Sequence, residues 1–137
     1  QNTVDGFFGG TSKIIDCEAI DNDNDGFHVA GDSLITSCLS RLNGNTAAND
    51  GAGFHLTGSD TRIEGCSAVS NDRGFDVDGP GNLIVRNSAA SNTVNYSILA
   101  NNVLGGIIAA GTNAAAINGS AAPGTIGTTD PWSNVSH

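Results

Sequence analysis

Basic residues are scarce in this chain. Five Lys and Arg stand against fourteen Asp and Glu over 137 residues, for a net charge of −9. Bare nucleic acid and an anionic membrane surface both need a positive face, so neither is an expected partner. A polyanionic sugar would be repelled unless cations bridged it. No apolar run reaches the roughly 18 residues of a membrane-spanning helix, so no membrane span is expected. No helical period of 3.6 runs through the chain, which speaks against an α-helical domain. Cysteines number three, with no C-x-x-C among them. An odd count leaves one thiol over in any pairing scheme.

What the chain does have is a repeat. Ile14, Cys17, Ala19 and Asn22 are spaced as I-x-x-C-x-A-x-x-N. The spacing returns at Ile35, Cys38, Ser40 and Asn43, at Ile63, Cys66, Ala68 and Asn71, and at Ile84, Asn87, Ala89 and Asn92. A Gly-Phe pair accompanies each copy (Gly6-Phe7, Gly26-Phe27, Gly53-Phe54, Gly74-Phe75), and Asn95-Tyr96 starts a fifth. Copies begin 21, 28 and 21 residues apart. A period of this length, made of short alternating stretches and turn residues, predicts a solenoid of three- to five-residue strands.

Stacking such units puts equivalent residues in columns about 4.8 Å apart. Phe7, Phe27, Phe54, Phe75 and Tyr96 are expected inside, as are Ile14, Ile35, Ile63 and Ile84. Asn22, Asn43, Asn71 and Asn92 are expected at a tight turn, each amide bonding the next turn. The cysteines form one column, read as buried free thiols that pack as small apolar groups. Asn2 already occupies the turn position, so the expectation is a piece of a longer solenoid or an end covered by another subunit. Unpaired strand edges favour pairing with another chain.

These columns resemble the pectate-lyase-like right-handed parallel β-helix superfamily, which includes polysaccharide lyases, polygalacturonases and phage tailspikes. The resemblance covers residues 2–98 and rests on coil length, the Gly-Phe openings and the inner Ile, Cys/Asn and Asn columns. It implies an all-β, right-handed parallel β-helix of four to five coils. It implies no particular activity, because fold alone does not give function. Lyases of that superfamily combine calcium-binding carboxylates with an Arg or Lys that removes a sugar proton; its hydrolases use paired or triple Asp.

Residues 1–98 are read as the repeats and 99–137 as a last partial coil with an apolar tail for capping or self-association. All five basic residues precede residue 99, and Asp130 is the only acid after it. Ile107, Ile108, Ile117, Ile126 and Trp132 set the tail apart from a flexible linker. Trp132, the only Trp, is expected to be buried against the solenoid or a partner subunit.

Two constellations carry chemistry. Asp21, Asp23 and Asp25 precede Gly26 as D-x-D-x-D-G, the start of a calcium loop, which makes calcium the candidate cofactor. Asp32 stands where such a loop normally has a bidentate Glu, and no helices flank it. The second is a column. The residue after each Gly-Phe should point outward, which stacks Phe8, His28, His55, Asp76 and Ser97, with Asp78 on the same face. His28, His55, Asp76 and Asp78 are the candidate catalytic residues; imidazole and carboxylate together suit a transition metal or acid–base work. No family catalytic motif surrounds them, and none of Arg62, Arg73 and Arg86 is expected beside Asp76. An insertion, 44–51, precedes His55.

The functional expectation is a non-catalytic extracellular or cell-surface module with a structural or self-assembling role, as in an appendage, filament, spike or adhesin. Its partners would be further copies of the solenoid. The alternative is a polysaccharide lyase or hydrolase fragment, or a carbohydrate-binding module, acting on acidic polysaccharide through the His28/His55/Asp76 face.

Overall fold

The computed structural model describes residues 4–44, 51–109 and 130–137. Among these the chain is all-β, with no helix. Strands come in trios. The first is β1 (Phe7–Gly9), β2 (Lys13–Ile15) and β3 (Glu18–Ile20); the next is β4 (Phe27–Val29), β5 (Leu34–Thr36) and β6 (Leu39–Arg41). Then come β7 (Ala52–Leu56), β8 (Arg62–Glu64) and β9 (Ser67–Val69), followed by β10 (Arg73–Val77), β11 (Leu83–Val85) and β12 (Ser88–Ala90). The last described strands are β13 (Val94–Ile98), β14 (Val103–Leu104), β15 (Ile107–Ala109) and β16 (Asn134–Ser136). Each trio gives one strand to each of three parallel sheets, ordered β1-β4-β7-β10-β13, β14-β11-β8-β5-β2 and β15-β16-β12-β9-β6-β3. This arrangement is compatible with a parallel β-helix.

The register follows the repeat. Phe27 lies beside Phe54, Phe54 beside Phe75 and Phe75 beside Tyr96. Their rings stack at 5.0, 5.0 and 5.1 Å within 9° of parallel. Ile14, Ile35, Ile63 and Ile84 form the second inner column. Both columns belong to the single buried cluster. Cys38 and Cys66 are buried in it as free thiols, whereas Cys17, in the end trio, is exposed.

Buried amides secure the corners. Backbone N–H groups of Asn22, Asn43 and Asn71 donate to the side-chain oxygens of Asn43, Asn71 and Asn92 at 3.0, 3.0 and 2.8 Å. Each side chain thus closes the neighbouring turn, as expected. A second corner works the same way through Thr61, Asn82 and Asn102. Tight bends between strands use single left-handed residues, among them Asp16, Ser37, Gly65 and Arg86 in equivalent positions. The insertion closes at its base, where Gly44 and Gly51 pack so closely that a Cβ on Gly44 would meet Gly51 Cα at 2.6 Å; residues 45–50 lie outside the described ones.

The end of the chain returns to the body. β16 inserts between β12 and β15 rather than following β15 at the edge. Asn134, fully buried, takes the next place in the Cys66–Asn87 column: its Oδ1 accepts from Asn87 N at 3.0 Å, and its Nδ2 donates to the carbonyls of Ile84 and Gly105. Tyr96 Oη lies 3.0 Å from the carbonyls of both Asn87 and Val135. Trp132 is only partly covered by the chain's own residues. It precedes the strand on the outside, 46% exposed, with the Arg86 guanidinium 4.3 Å from its ring centroid. It borders a cavity of about 410 Å³ with Leu83, Val85, Val103 and Leu104 on the second sheet.

Candidate functional site

The outward column of the first sheet is built as the period of two requires. Phe8 pairs with His28, His28 with His55, His55 with Asp76 and Asp76 with Ser97. The two imidazoles stack at 4.8 Å, and the exposed Phe8 ring meets His28 edge-on at 4.9 Å.

A second column completes the face. Asp5, Asp25 and Arg73 each stand just before the Gly of a Gly-Phe pair. Alternation fails across that glycine. At Gly74, for example, a Cβ would meet the Asn95 carbonyl at 2.5 Å, so only a residue without a side chain fits there. Residues i and i+3 then reach the same side. Arg73 Nη1 comes 2.6 Å from Asp76 Oδ2, contrary to the expectation that no arginine lies beside Asp76.

Asp25 organises the centre. Its Oδ1 accepts the Ala52 N–H at 2.7 Å and its Oδ2 lies 2.7 Å from His55 Nδ1. On the other ring edge, His55 Nε2 stands 3.2 Å from Asp78 Oδ2 and 4.0 Å from Asp76 Oδ2. His28 Nδ1 is 3.2 Å from Asp5 Oδ2, and its Nε2 is 3.3 Å from Thr57 Oγ1. The hydrogen bond to Asp25 pushes the His55 imidazole up to about 9, against the opposing effect of its own burial. At neutral pH His55 is therefore an imidazolium donating to a carboxylate on each side.

Asp76 is the most buried acid of the face, at 1% exposed. Its Oδ2 is paired with Arg73 Nη1 at 2.6 Å. Burial raises its carboxyl above the ordinary range, while the Ser97 hydroxyl and the Arg73 charge hold it down.

All four candidates from the outward column, His28, His55, Asp76 and Asp78, thus meet on one surface. The acidic turn is arranged otherwise. Two groups of three possible metal-ligating residues occur among the described residues: Asp25, His28 and His55, and His55, Asp76 and Asp78. Asp21 and Asp23 belong to neither. Asn22, between them, is buried in the amide ladder, which commits this segment to the corner of the solenoid. Asp25 instead turns to Ala52 and His55. The roles of Asp5, Asp25 and Arg73 were missed from sequence; the signal was the charged residue before Gly6, Gly26 and Gly74.

Comparison with protein-family models, with curated proteins and with solved structures finds no match to the chain.

Proposed function

We propose that the protein is a non-catalytic, extracellular or cell-surface module that assembles by stacking its ends. It would be a right-handed parallel β-helix of four to five coils, akin to the pectate-lyase-like superfamily, serving as part of an appendage, filament, spike or adhesin.

One observation carries the reading. Of the eleven exposed large apolar side chains among the described residues, ten lie on the two end layers. Val4, Phe8, Ile15 and Ile20 are at one end; Val94, Leu99, Val103, Leu104, Ile107 and Trp132 are at the other. Leu42 alone is in the middle. Among the described residues the same end layers carry the sheet edges: β1, β2 and β3 at one end, and β13, β14 and β15 at the other. Apolar surface beside unpaired strand edges marks an association surface. The two ends differ, so their contact is heterologous and propagates into an open stack. The His–carboxylate face supports a structural role too, since its charged groups are tied to one another across strands.

Sedimentation velocity over a wide concentration range tests this. The expected result is a distribution that shifts to larger species with concentration; a single monomer boundary throughout would overturn it.

A second reading is favoured by Asp76, a buried carboxyl raised by that burial and 4.0 Å from His55, since a carboxyl that keeps its proton can act as a general acid on a sugar. It makes the His28/His55/Asp76 face a site for acidic polysaccharide. Incubation with pectate and alginate, with and without calcium, followed by assay of unsaturated products and reducing ends, decides it. Products that vanish in Asp76→Asn support this reading, and their absence with the wild-type chain removes it.

A further inference from the structure

We propose that His55 Nε2 and the carboxylates of Asp76 and Asp78 bind one divalent transition-metal ion, with zinc the best fit, which ties β7 to β10. The site does not depend on the assembly reading.

Geometry carries the proposal. A tetrahedral ion with bonds of about 2.0–2.2 Å sets its ligand atoms roughly 3.3–3.6 Å apart. His55 Nε2 lies 3.2 Å from Asp78 Oδ2 and 4.0 Å from Asp76 Oδ2, which brackets that spacing. The three ligand atoms all lie within 4.8 Å of one another. Small side-chain adjustments close the triangle, and Asp78, with 63% of its side chain exposed, has room to make them.

The surroundings fit a metal ligand. Asp25 Oδ2 holds His55 Nδ1 at 2.7 Å, and the Ala52 N–H fixes the other oxygen of Asp25. This is the carboxylate–histidine pairing that orients metal-bound imidazoles: Nδ1 keeps its proton and Nε2 presents a lone pair. The ion takes the place of the proton that Nε2 shares with Asp78. Asp76 supplies a carboxylate that is almost fully buried, with its Oδ2 4.0 Å from His55 Nε2. Arg73 Nη1 lies 2.6 Å from that same oxygen and balances one of the two carboxylate charges.

The other three-residue group fits less well. Its Asp25 Oδ2 and His55 Nδ1 are 2.7 Å apart, a hydrogen-bond distance too short for two ligands of one ion. Calcium is also disfavoured, because it takes six to eight oxygen ligands and this site offers a nitrogen and two carboxylates.

The test uses the full chain after dialysis against a chelator. Zinc chloride is titrated calorimetrically, with cobalt(II) visible absorption as a second readout. The expected result is one ion per chain and a raised melting temperature. His55→Gln and the exposed-site variant Asp78→Asn should each weaken zinc about tenfold or more. Asp25→Asn should weaken it roughly 10- to 100-fold by releasing the imidazole. His28→Gln should leave affinity unchanged. Absence of binding to the folded wild-type chain would overturn the proposal. So would binding that survives Asp78→Asn but is lost in His28→Gln, which would place the ion in the other group.

Discussion

His55 and Asp25 lie thirty residues apart in sequence and share a 2.7 Å hydrogen bond across neighbouring strands. The bond joins β7 to the turn before β4, so the charge of one side chain secures the spacing of two layers. In the metal-free chain it makes stability depend on pH. The His55 imidazole is raised from its ordinary 6.5 to about 9 in the folded protein. Its contribution is fully present below about pH 6.5 and is lost as pH rises through about 9. Asp76, also raised, has the same sign, since burial penalises its charged form, and its contribution is lost as pH rises above the ordinary carboxylate range. Chelator-treated protein should therefore lose on the order of 2 kcal/mol between pH 6.5 and 10, read from denaturant midpoints. Asp25→Asn should flatten that slope; an unchanged slope would show that the pair stores no such energy.

Asn43 is the best single test of the corner ladder. Its Oδ1 accepts both the Asn22 N–H and the Asn22 amide, and its Nδ2 donates to Ala19 O, Ser40 Oγ and Asn71 Oδ1. Asn43→Ala leaves several fully buried groups unpaired, a penalty that water cannot relieve. Unfolding in urea should show a loss of roughly 3 kcal/mol, several times that for an exposed Asn such as Asn24.

Much of the fold was legible because a solenoid writes its contacts into its period. Phe27, Phe54 and Phe75 stack on their own equivalents, so equal spacing predicts contact. The outward column from Phe8 to Ser97 was legible for the same reason. Arg73 was not, because alternation breaks at Gly74 and the two-residue rule then assigns the wrong side. The place of the chain's end was also hidden. Asn134 belongs to the Cys66–Asn87 column, yet 47 residues separate it from Asn87, and no period marks so long a return. The surface that Trp132 packs on was not legible, because the tail's five large apolar side chains call for burial without saying against what. The strand begins only at Asn134, which leaves the ring outside under Arg86.

The inserted position of β16 gives a third prediction. Asn134 is buried and bonds both neighbouring layers, and Tyr96 points its hydroxyl at the Val135 carbonyl. Asn134→Ala should cost about 2–3 kcal/mol, as expected for an unpaired buried amide network. Deleting residues 134–137 should cost more and expose the Ala89 and Asn87 edge. Hydrogen exchange would then show lost protection in β12, whereas full protection there would mean that β16 is not part of the sheet.

In the proposed assembly the two end layers meet. Phe8, 71% exposed, and Val103, 63% exposed, lie at opposite ends, and neither belongs to the buried core cluster. The most direct measurement is the weight-average mass, by light scattering at matched concentrations, of the wild type, Phe8→Asp, Val103→Asp and an equimolar mixture of the two variants. End-to-end stacking predicts that the wild type associates into species larger than a dimer. Each variant alone stays close to monomer, and the mixture recovers dimers and no more, because each variant keeps one working end. Equal masses for the wild type and both single variants would contradict end-to-end stacking.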